Sequence, residues 1–186
     1  PLAEKIGAVN TITFDNGLLH GTNTDAYGTL KAIETEEQID GKTVVMIGTG
    51  GAARAAAFAI ACERKPERFF IAGRNEQKVR KLAHEVTQHA HKLVSGLSMD
   101  PSELKPIFRE TDIIVNTTPI GMHPHVDECL IPEDLFSERH VVFDMIYNPA
   151  ETLMLKRAKK RFSRIINGVP MFVHQGAEQF RLWTGQ

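Results

Sequence analysis

The residues best suited to chemistry lie in a glycine-rich segment, Gly48-x-Gly50-x-x-Ala53. In such a segment the first glycine allows a tight turn, the second lets the backbone approach a pyrophosphate, and a small third residue lets helix and strand pack closely. The N–H groups at the start of the following helix then face the anion. The pattern predicts a dinucleotide-binding turn, and the alternative is a tight strand-to-helix turn that binds nothing.

The end of the next predicted strand bears on which dinucleotide would bind. NAD sites usually place Asp or Glu there to bind the ribose 2′-hydroxyl, whereas an Arg nearby accommodates a 2′-phosphate. Here the strand ends in Gly73-Arg74-Asn75, and Lys78 follows one helical turn later. Because Arg74 can stack on adenine and pair with phosphate, the sequence favours NADP over NAD. The alternative is that Arg74 is an ordinary surface arginine.

Two polar residues near the amino terminus have more than one interpretation. Asp25 closes the segment Gly21–Asp25, where a helix is predicted to begin, so it could take part in chemistry or only interact favourably with the helix dipole. Asn10 could bind a ligand or form a turn at the end of a strand. The residues next to Asp25 and Asn10 in the sequence do not decide between these interpretations.

The elements that must position these residues alternate between strand and helix. A hairpin is predicted from Ala8–Phe14 and Leu18–His20 around the turn Asp15-Asn16-Gly17. Short apolar runs predict further strands at Thr43–Ile47, Arg68–Ala72, Asp112–Asn116, His140–Met145 and Ser163–Ile166. This alternation is typical of an α/β fold with a doubly wound parallel sheet.

Helices are predicted between the strands and at the carboxyl end. Asn148 is expected to cap one of them, with Pro149 at its first position. The other predicted helices span about Ala26–Glu36, an Ala-rich segment that follows the glycine turn and ends near Glu63, Glu76–Ala90 and Pro170–Trp183.

Composition excludes several classes of function. Lys and Arg number 22, and Asp and Glu number 23, so a net charge of −1 indicates neither a nucleic-acid partner nor an anionic membrane. No apolar run is long enough for a transmembrane helix, and no signal peptide is visible. With only Cys62 and Cys129, a reducing, cytoplasmic setting is expected. His123-Pro124-His125 matches no standard zinc spacing, so no metal is expected.

Six motifs occur in one order along nearly the whole chain. They are IGAVNTI (Ile6–Ile12), GTNTDAYG (Gly21–Gly28), GTGGAARA (Gly48–Ala55), NTTPIGM (Asn116–Met122), DMIYNP (Asp144–Pro149) with Thr152, and NGVPMFVHQGAEQFRLWTG (Asn167–Gly185). Together they closely resemble the shikimate dehydrogenase family.

The resemblance implies a fold and an activity. The family reversibly reduces 3-dehydroshikimate to shikimate with NADPH, on the route to chorismate and the aromatic amino acids. Its active site lies between an amino-terminal substrate domain and a carboxy-terminal Rossmann domain. Residues 1–20 are therefore expected to be a remnant of the substrate domain, 21–40 a linking helix, 41–167 the Rossmann NADP-binding domain, and 168–186 a helix packing back toward the substrate domain.

The same resemblance implies roles for individual residues. Asn10, Asp25, Tyr147 and Gln175 are expected to bind substrate, and Asp25 to be the catalytic partner of a lysine. The expected cofactor-binding residues are Gly48, Gly50, Gly51, Ala52, Ala53, Arg74, Asn75, Lys78, Thr117, Thr118, Met145, Gly168 and Met171.

The chain departs from the family pattern at the catalytic lysine. It lies in a Pro-His-Lys-like segment upstream of IGAVNTI, and Lys5 is too close to that motif to be its equivalent. We therefore expect the chain to be the carboxy-terminal part of the enzyme, with little or no turnover by itself. The expected partner is a small-molecule substrate, and the expected assembly is a monomer or a homodimer.

Three alternatives remain. The first is a quinate/shikimate dehydrogenase of dual specificity. The second is a chain that by itself only binds nucleotide or acts as an interaction domain. The third is a methyltransferase with a similar glycine loop, which Arg74 disfavours because such enzymes usually have an acid after the second strand.

Overall fold

The structure is a computed structural model that describes residues 1–90 and 92–186. Its strands are β1 (Thr11–Asp15), β2 (Leu18–Thr22), β3 (Thr43–Ile47), β4 (Arg68–Ala72), β5 (Val94–Leu97), β6 (Ile113–Asn116), β7 (Val141–Asp144) and β8 (Arg164–Ile166). Its helices are α1 (Leu2–Ile6), α2 (Thr24–Ile33), α3 (Gly51–Glu63), α4 (Glu76–Ala90), α5 (Pro101–Phe108), α6 (Leu153–Lys160) and α7 (Gly168–Thr184), with a short 3₁₀ turn at Glu133–Leu135.

The main sheet is built from β3 to β8. The strand order across it is β5-β4-β3-β6-β7-β8, and every neighbouring pair is parallel. The chain moves outward from β3 to β5 and then returns to place β6 on the other side of β3. Open α/β sheets bind ligands in the crevice at the carboxyl ends of the strands where the order reverses, which here is between β3 and β6.

Helices cover both faces of this sheet, which is why its central strands are almost entirely apolar. Val44 and Met46 of β3 point into a core that includes Phe58 of α3. Val45 and Ile47 point to the opposite face, into the core formed with α5 and α6. Side chains on a strand alternate in this way, so one five-residue strand contributes to both cores.

A smaller unit connects the amino terminus to this domain. Strands β1 and β2 pair antiparallel, with Thr11 opposite Thr22, and β2 leads directly into α2. Helix α7 returns against α2, where the Thr29 hydroxyl contacts the Met171 sulfur at 3.8 Å. Helix α1 is tied to α3 because the Arg54 guanidinium donates to the backbone carbonyl of Ile6.

The predicted doubly wound parallel sheet is confirmed, but one predicted helix start is wrong. The helix after β7 begins at Leu153 and not at Pro149. Its N-cap is Thr152, whose hydroxyl oxygen accepts from Leu155 N at 3.3 Å and donates to the buried carboxylate of Asp144 at 2.6 Å. Asn148 therefore does not cap this helix, because the capping hydroxyl is held in place by the end of β7.

Other boundaries differ by a few residues. Helix α2 begins at Thr24 because Asn23 Oδ1 accepts from Ala26 N at 3.2 Å, and it ends at Ile33 rather than Glu36. Helix α7 begins at Gly168, capped by the Asn167 side chain, rather than at Pro170. Strand β5 and helix α5 were not predicted.

Candidate active site

The turn after β3 is held against the end of β6. Gly48 has φ +126°, a conformation that L side chains rarely adopt, and a Cβ there would collide with the Thr117 hydroxyl oxygen. That hydroxyl donates to the Ile47 carbonyl at 2.7 Å. The hydrogen bond holds the two strand ends close together, and this close approach leaves room only for glycine at residue 48.

Helix α3 begins beside this turn with its first N–H groups uncapped. Gly50 is the N-cap and makes no side-chain cap hydrogen bond. A Cβ added to Gly50 or Gly51 would meet nothing within 4 Å, so open space lies above both residues. Ala53 is fully buried in the core beneath. The amino terminus of α3 can therefore accept an anion, as such helix ends do.

A cleft of about 280 Å³ lies over these strand ends. Its lining residues are Ile47, Gly48, Thr49, Gly50, Gly73, Arg74, Asn75, Lys78, Thr117, Thr118, Pro119, Ile120 and Leu130. This lining contains two cations, Arg74 and Lys78, and no carboxylate. Both cations are exposed, and within the described ranges neither side-chain cationic group forms a hydrogen bond or ion pair. Asn75 caps α4, since its Oδ1 accepts from Lys78 N at 2.9 Å.

A second cluster joins residues that are distant in sequence. Hairpin pairing places Asn10 beside the start of α2, where its Oδ1 accepts from Thr24 N at 2.9 Å. The Thr24 hydroxyl lies 3.1 Å from Asn10 Nδ2 and 3.4 Å from Gln175 Oε1. Asp25 follows Thr24 on the first turn of α2. Three of the four expected substrate-binding residues, Asn10, Asp25 and Gln175, are thus brought to one place.

Asp25 is the titratable group of this second cluster. Its carboxyl is half-buried, and burial raises its pKa above the ordinary value, while a hydrogen bond from the Asn10 side chain lowers it. Burial is the larger effect, because a carboxylate loses hydration when it leaves water. Asp25 is therefore a stronger proton acceptor than an exposed aspartate.

Tyr147, the fourth expected substrate-binding residue, makes no hydrogen bond with the other three within the described residues. Its ring is exposed and packs on Phe172 of α7, with centroids 5.1 Å apart. Met145 and Met171 are partly buried against the core beneath α2 and α3. Gly168 lies against Met145, whose carbonyl would collide with any Cβ at residue 168.

Two other features of the described structure concern metals and membranes. Within residues 1–90 and 92–186, no three His, Cys, Asp or Glu side chains are grouped so that they could hold a metal ion. His125 instead contacts Glu128 at 2.7 Å. Across the same residues, every helix is too short or too polar to cross a bilayer.

Comparison with protein families identifies the chain. A family described as shikimate / quinate 5-dehydrogenase matches residues 30–149, which is more than half of the chain. The chain belongs to this family. A second family, described as the shikimate 5′-dehydrogenase C-terminal domain, matches residues 168–186.

Individual relatives agree with this assignment. The shikimate dehydrogenase (NADP(+)) of Methanothermobacter thermautotrophicus is 41% identical over 99% of this chain, which spans 64% of that relative's length. A crystal structure of shikimate dehydrogenase in complex with NADP+ has a TM-score of 0.90 at 39% identity, over 100% of this chain and 64% of that one. Shikimate 5-dehydrogenase from Listeria monocytogenes, in complex with shikimate and NAD, has a TM-score of 0.94 at 31% identity, over 100% and 66% of the two chains.

A buried network between β6 and β7 was missed by the sequence reasoning. Asp144 is fully buried, and its carboxylate accepts from Asn116 Nδ2 at 3.0 Å, Ile146 N at 3.2 Å and the Thr152 hydroxyl. Asn116 Oδ1 in turn accepts from the backbone and hydroxyl of Thr118, at 3.1 and 2.8 Å. The network therefore connects the loop after β6 with the loop after β7. Its only signal in the sequence is that its residues occur in the motifs Asn116–Met122 and Asp144–Pro149 with Thr152.

Proposed function

We propose that the chain carries the NADP-binding part of a shikimate dehydrogenase, with residues 41–167 as the cofactor domain. The enzyme would reversibly reduce 3-dehydroshikimate to shikimate with NADPH. The observation that carries the cofactor choice is a pair of cations, Arg74 and Lys78, in a cleft whose lining contains no carboxylate. Neither cation forms an ion pair with another described residue. A 2′-phosphate would be attracted to these charges, whereas an acid at the strand end would favour a 2′-hydroxyl.

The glycine turn fits a dinucleotide. We assign the pyrophosphate to the uncapped N–H groups of Gly51, Ala52 and Ala53, because Gly50 makes no side-chain cap hydrogen bond and a Cβ at Gly50 or Gly51 would meet no described atom within 4 Å. Around the ribose and nicotinamide, the proposed contacts are Thr117, Thr118, Met145, Gly168 and Met171. When bound, the cofactor supplies the hydride, and the protein supplies position and electrostatic field.

On the substrate side, Asp25 has the central role in the proposal. Negative charge develops on the carbonyl oxygen as the hydride arrives, and a cationic acid beside a carboxylate can donate a proton there. Asp25 would orient that acid and accept a hydrogen bond from a neighbouring substrate hydroxyl. The resemblance places the family's lysine upstream of Asn10, so only the aspartate half of the pair is assigned to these residues. Gln175 and Tyr147 would contact further hydroxyl groups.

A second candidate function is dual specificity for quinate and shikimate. The family description that matches residues 30–149 includes both substrates, and this observation alone favours it. Shikimate and quinate binding measured by calorimetry in the presence of NADPH would separate the two functions. Measurable quinate affinity would favour dual specificity, and its absence would favour a shikimate enzyme.

The cofactor proposal is tested by fluorescence titration of the chain with NADPH and NADH. We expect NADPH to bind at least about tenfold tighter, or about 1.4 kcal/mol. Arg74→Ala should remove most of this difference. The matched control is Arg80→Ala, which removes an exposed arginine of α4 whose guanidinium pairs with Glu76 at 3.0 Å. Equal affinities in the wild type, or an unchanged difference in Arg74→Ala, would contradict the proposal.

A further inference from the structure

The hydroxyl of Thr24 lies between the side-chain amides of Asn10 and Gln175, which the family resemblance implies to bind substrate. Thr24 is only 1% exposed, and it is 14 residues from Asn10 and 151 from Gln175 in sequence. No local pattern would place these three side chains together. The contact exists because the hairpin brings Asn10 to the start of α2 and because α7 packs on the same helix.

The direction of each hydrogen bond follows from a backbone N–H, which can only donate. Thr24 N donates to one atom of the Asn10 amide at 2.9 Å, so that atom must be the carbonyl oxygen. The amide nitrogen of Asn10 then faces the Thr24 hydroxyl oxygen at 3.1 Å and donates to it.

The hydroxyl proton of Thr24 has two acceptors within reach. Asn10 Oδ1 lies at 3.3 Å, but it already accepts from Thr24 N and from the Thr11 hydroxyl at 2.9 Å, which occupies both of its lone pairs. Gln175 Oε1, at 3.4 Å, is therefore the acceptor that remains. The hydrogen bonds run in one direction, from the Asn10 amide through the Thr24 hydroxyl to the Gln175 carbonyl.

We propose that Thr24 is a positioning residue whose hydroxyl fixes the orientations of the Asn10 and Gln175 amides toward the ligand. This inference rests on the proposed function for the identity of the substrate. The direction of the hydrogen bonds does not depend on it.

The consequence for recognition concerns which groups remain for the ligand. Gln175 Oε1 is engaged by Thr24, and one N–H of its Nε2 donates to the Phe172 carbonyl at 3.2 Å. One Gln175 N–H remains. Asn10 Nδ2 donates one N–H to Thr24 and retains a second, and hydrogen bonding by the Asn10 side chain lowers the pKa of Asp25. The site thus offers N–H donors and one carboxylate acceptor, which suits a ligand hydroxyl that accepts from an amide and donates to Asp25.

The first test compares three variants by nuclear magnetic resonance of side-chain amides. Thr24→Val removes the hydroxyl at nearly constant volume, and Thr24→Ser retains it. Thr111→Val is the matched control, because Thr111 is equally buried and its hydroxyl donates to the Ile107 carbonyl at 2.9 Å, far from these amides. We expect Thr24→Val to move the Asn10 and Gln175 amide signals, whereas Thr24→Ser and Thr111→Val leave them near their wild-type positions.

The second test asks whether the two amides communicate through Thr24. Asn10→Asp replaces the donor with an acceptor, so the Thr24 hydroxyl would turn toward residue 10 and leave Gln175 Oε1 unpaired. We expect this variant to move the Gln175 signals in the wild-type background and not in the Thr24→Val background. A Gln175 response of the same size in both backgrounds, or unmoved signals in Thr24→Val, would overturn the inference.

Shikimate affinity separates this inference from the proposed function. If both are right, the dissociation constant for shikimate rises about tenfold in Thr24→Val and recovers in Thr24→Ser, while NADPH affinity stays constant. If wild type binds no shikimate but the amide signals respond as described, the positioning role stands and the substrate proposal fails. Where wild type binds shikimate measurably, an equal affinity in Thr24→Val would overturn the positioning role.

Discussion

A Cβ added to Gly48 would collide with the Thr117 hydroxyl oxygen, so the turn after β3 and the loop after β6 are packed without space for a side chain. We predict that Gly48→Ala lowers the free energy of unfolding by about 1–3 kcal/mol, because the φ of +126° is also strained for alanine. Urea unfolding followed by circular dichroism measures this loss. Gly176→Ala, where a Cβ would meet nothing within 4 Å, is the control.

Gly50→Ala, in the same turn, should affect cofactor binding but not stability. Its φ of −83° is accessible to alanine and a Cβ there would meet nothing within 4 Å, so we expect stability to stay within about 0.5 kcal/mol of wild type. NADPH should nevertheless bind at least about tenfold more weakly, since the proposed pyrophosphate must approach this backbone closely. Unchanged NADPH affinity would place the pyrophosphate elsewhere.

The buried carboxyl of Asp144 should make stability depend on pH. Burial raises its pKa, and hydrogen bonds from Thr152, Ile146 N and Asn116 only partly offset this effect. The folded state therefore binds the proton more tightly than the unfolded chain, so the stabilisation is fully present below the ordinary carboxyl pKa of about 3.9 and is lost as pH rises through the raised value. We predict that the stability of wild type relative to Asp144→Asn falls as pH rises through this range, as measured by urea unfolding. Asp15→Asn, on the exposed hairpin, should show no such trend.

Asp144→Ala should lower the free energy of unfolding more than Asp144→Asn does. Asparagine keeps an acceptor for Asn116 and Ile146 N, whereas alanine leaves three buried donors without a partner. We expect a loss of about 3 kcal/mol or more for alanine, since each unsatisfied buried group costs about 1–3 kcal/mol. Equal losses for the two variants would show that these hydrogen bonds contribute little.

Most elements of the main sheet were predictable because each is encoded by a continuous segment of sequence. The strand β3, the glycine turn and the helix α3 follow one another directly, and β4, β6 and β7 are each a short apolar run. Strand β5 was missed because Ser95 and Gly96 interrupt its apolar character. It exists as a strand through its parallel pairing with β4.

The contacts that orient the side chains of the site could not be predicted from continuous segments of sequence, because they join residues that are far apart in the chain. The hydroxyl of Thr24 contacts Gln175 across 151 residues, and Asp144 binds Asn116 across 28. Threonine and aspartate at these positions have adequate local interpretations, as a helix-start residue and a strand-end acid. Motif resemblance selected Asn10 and Gln175, but only the packing of α7 on α2 shows that the Thr24 hydroxyl joins them.

His140 should give the opposite pH dependence to Asp144. The ring is buried, its Nε2 donates to the Phe108 carbonyl at 2.9 Å, and its Nδ1 accepts from Ser137 N at 3.1 Å. Burial, the largest cause, lowers its pKa. The unfolded chain therefore binds the proton more readily, so stability should fall as pH drops below about 6.5 toward the lowered folded-state value. His140→Gln should reduce this loss of stability, measured by urea unfolding from about pH 5 to about pH 8, a range that brackets the ordinary histidine pKa. His20→Gln, on the hairpin surface, should not reduce it.

Asp25 can be titrated directly through the carbon-13 shift of its carboxyl, without turnover. We predict a midpoint above the ordinary aspartate value, because burial raises this pKa. Asn10→Ala should move the midpoint higher still, since it removes the hydrogen bond that lowers the pKa. In a preparation that oxidises shikimate, Asp25→Asn should reduce kcat by about 100-fold or more, as expected when a group that supports proton transfer is lost, with NADPH affinity unchanged. A midpoint that falls in Asn10→Ala would show that the amide does not stabilise the carboxylate, and full activity in Asp25→Asn would remove this residue from the mechanism.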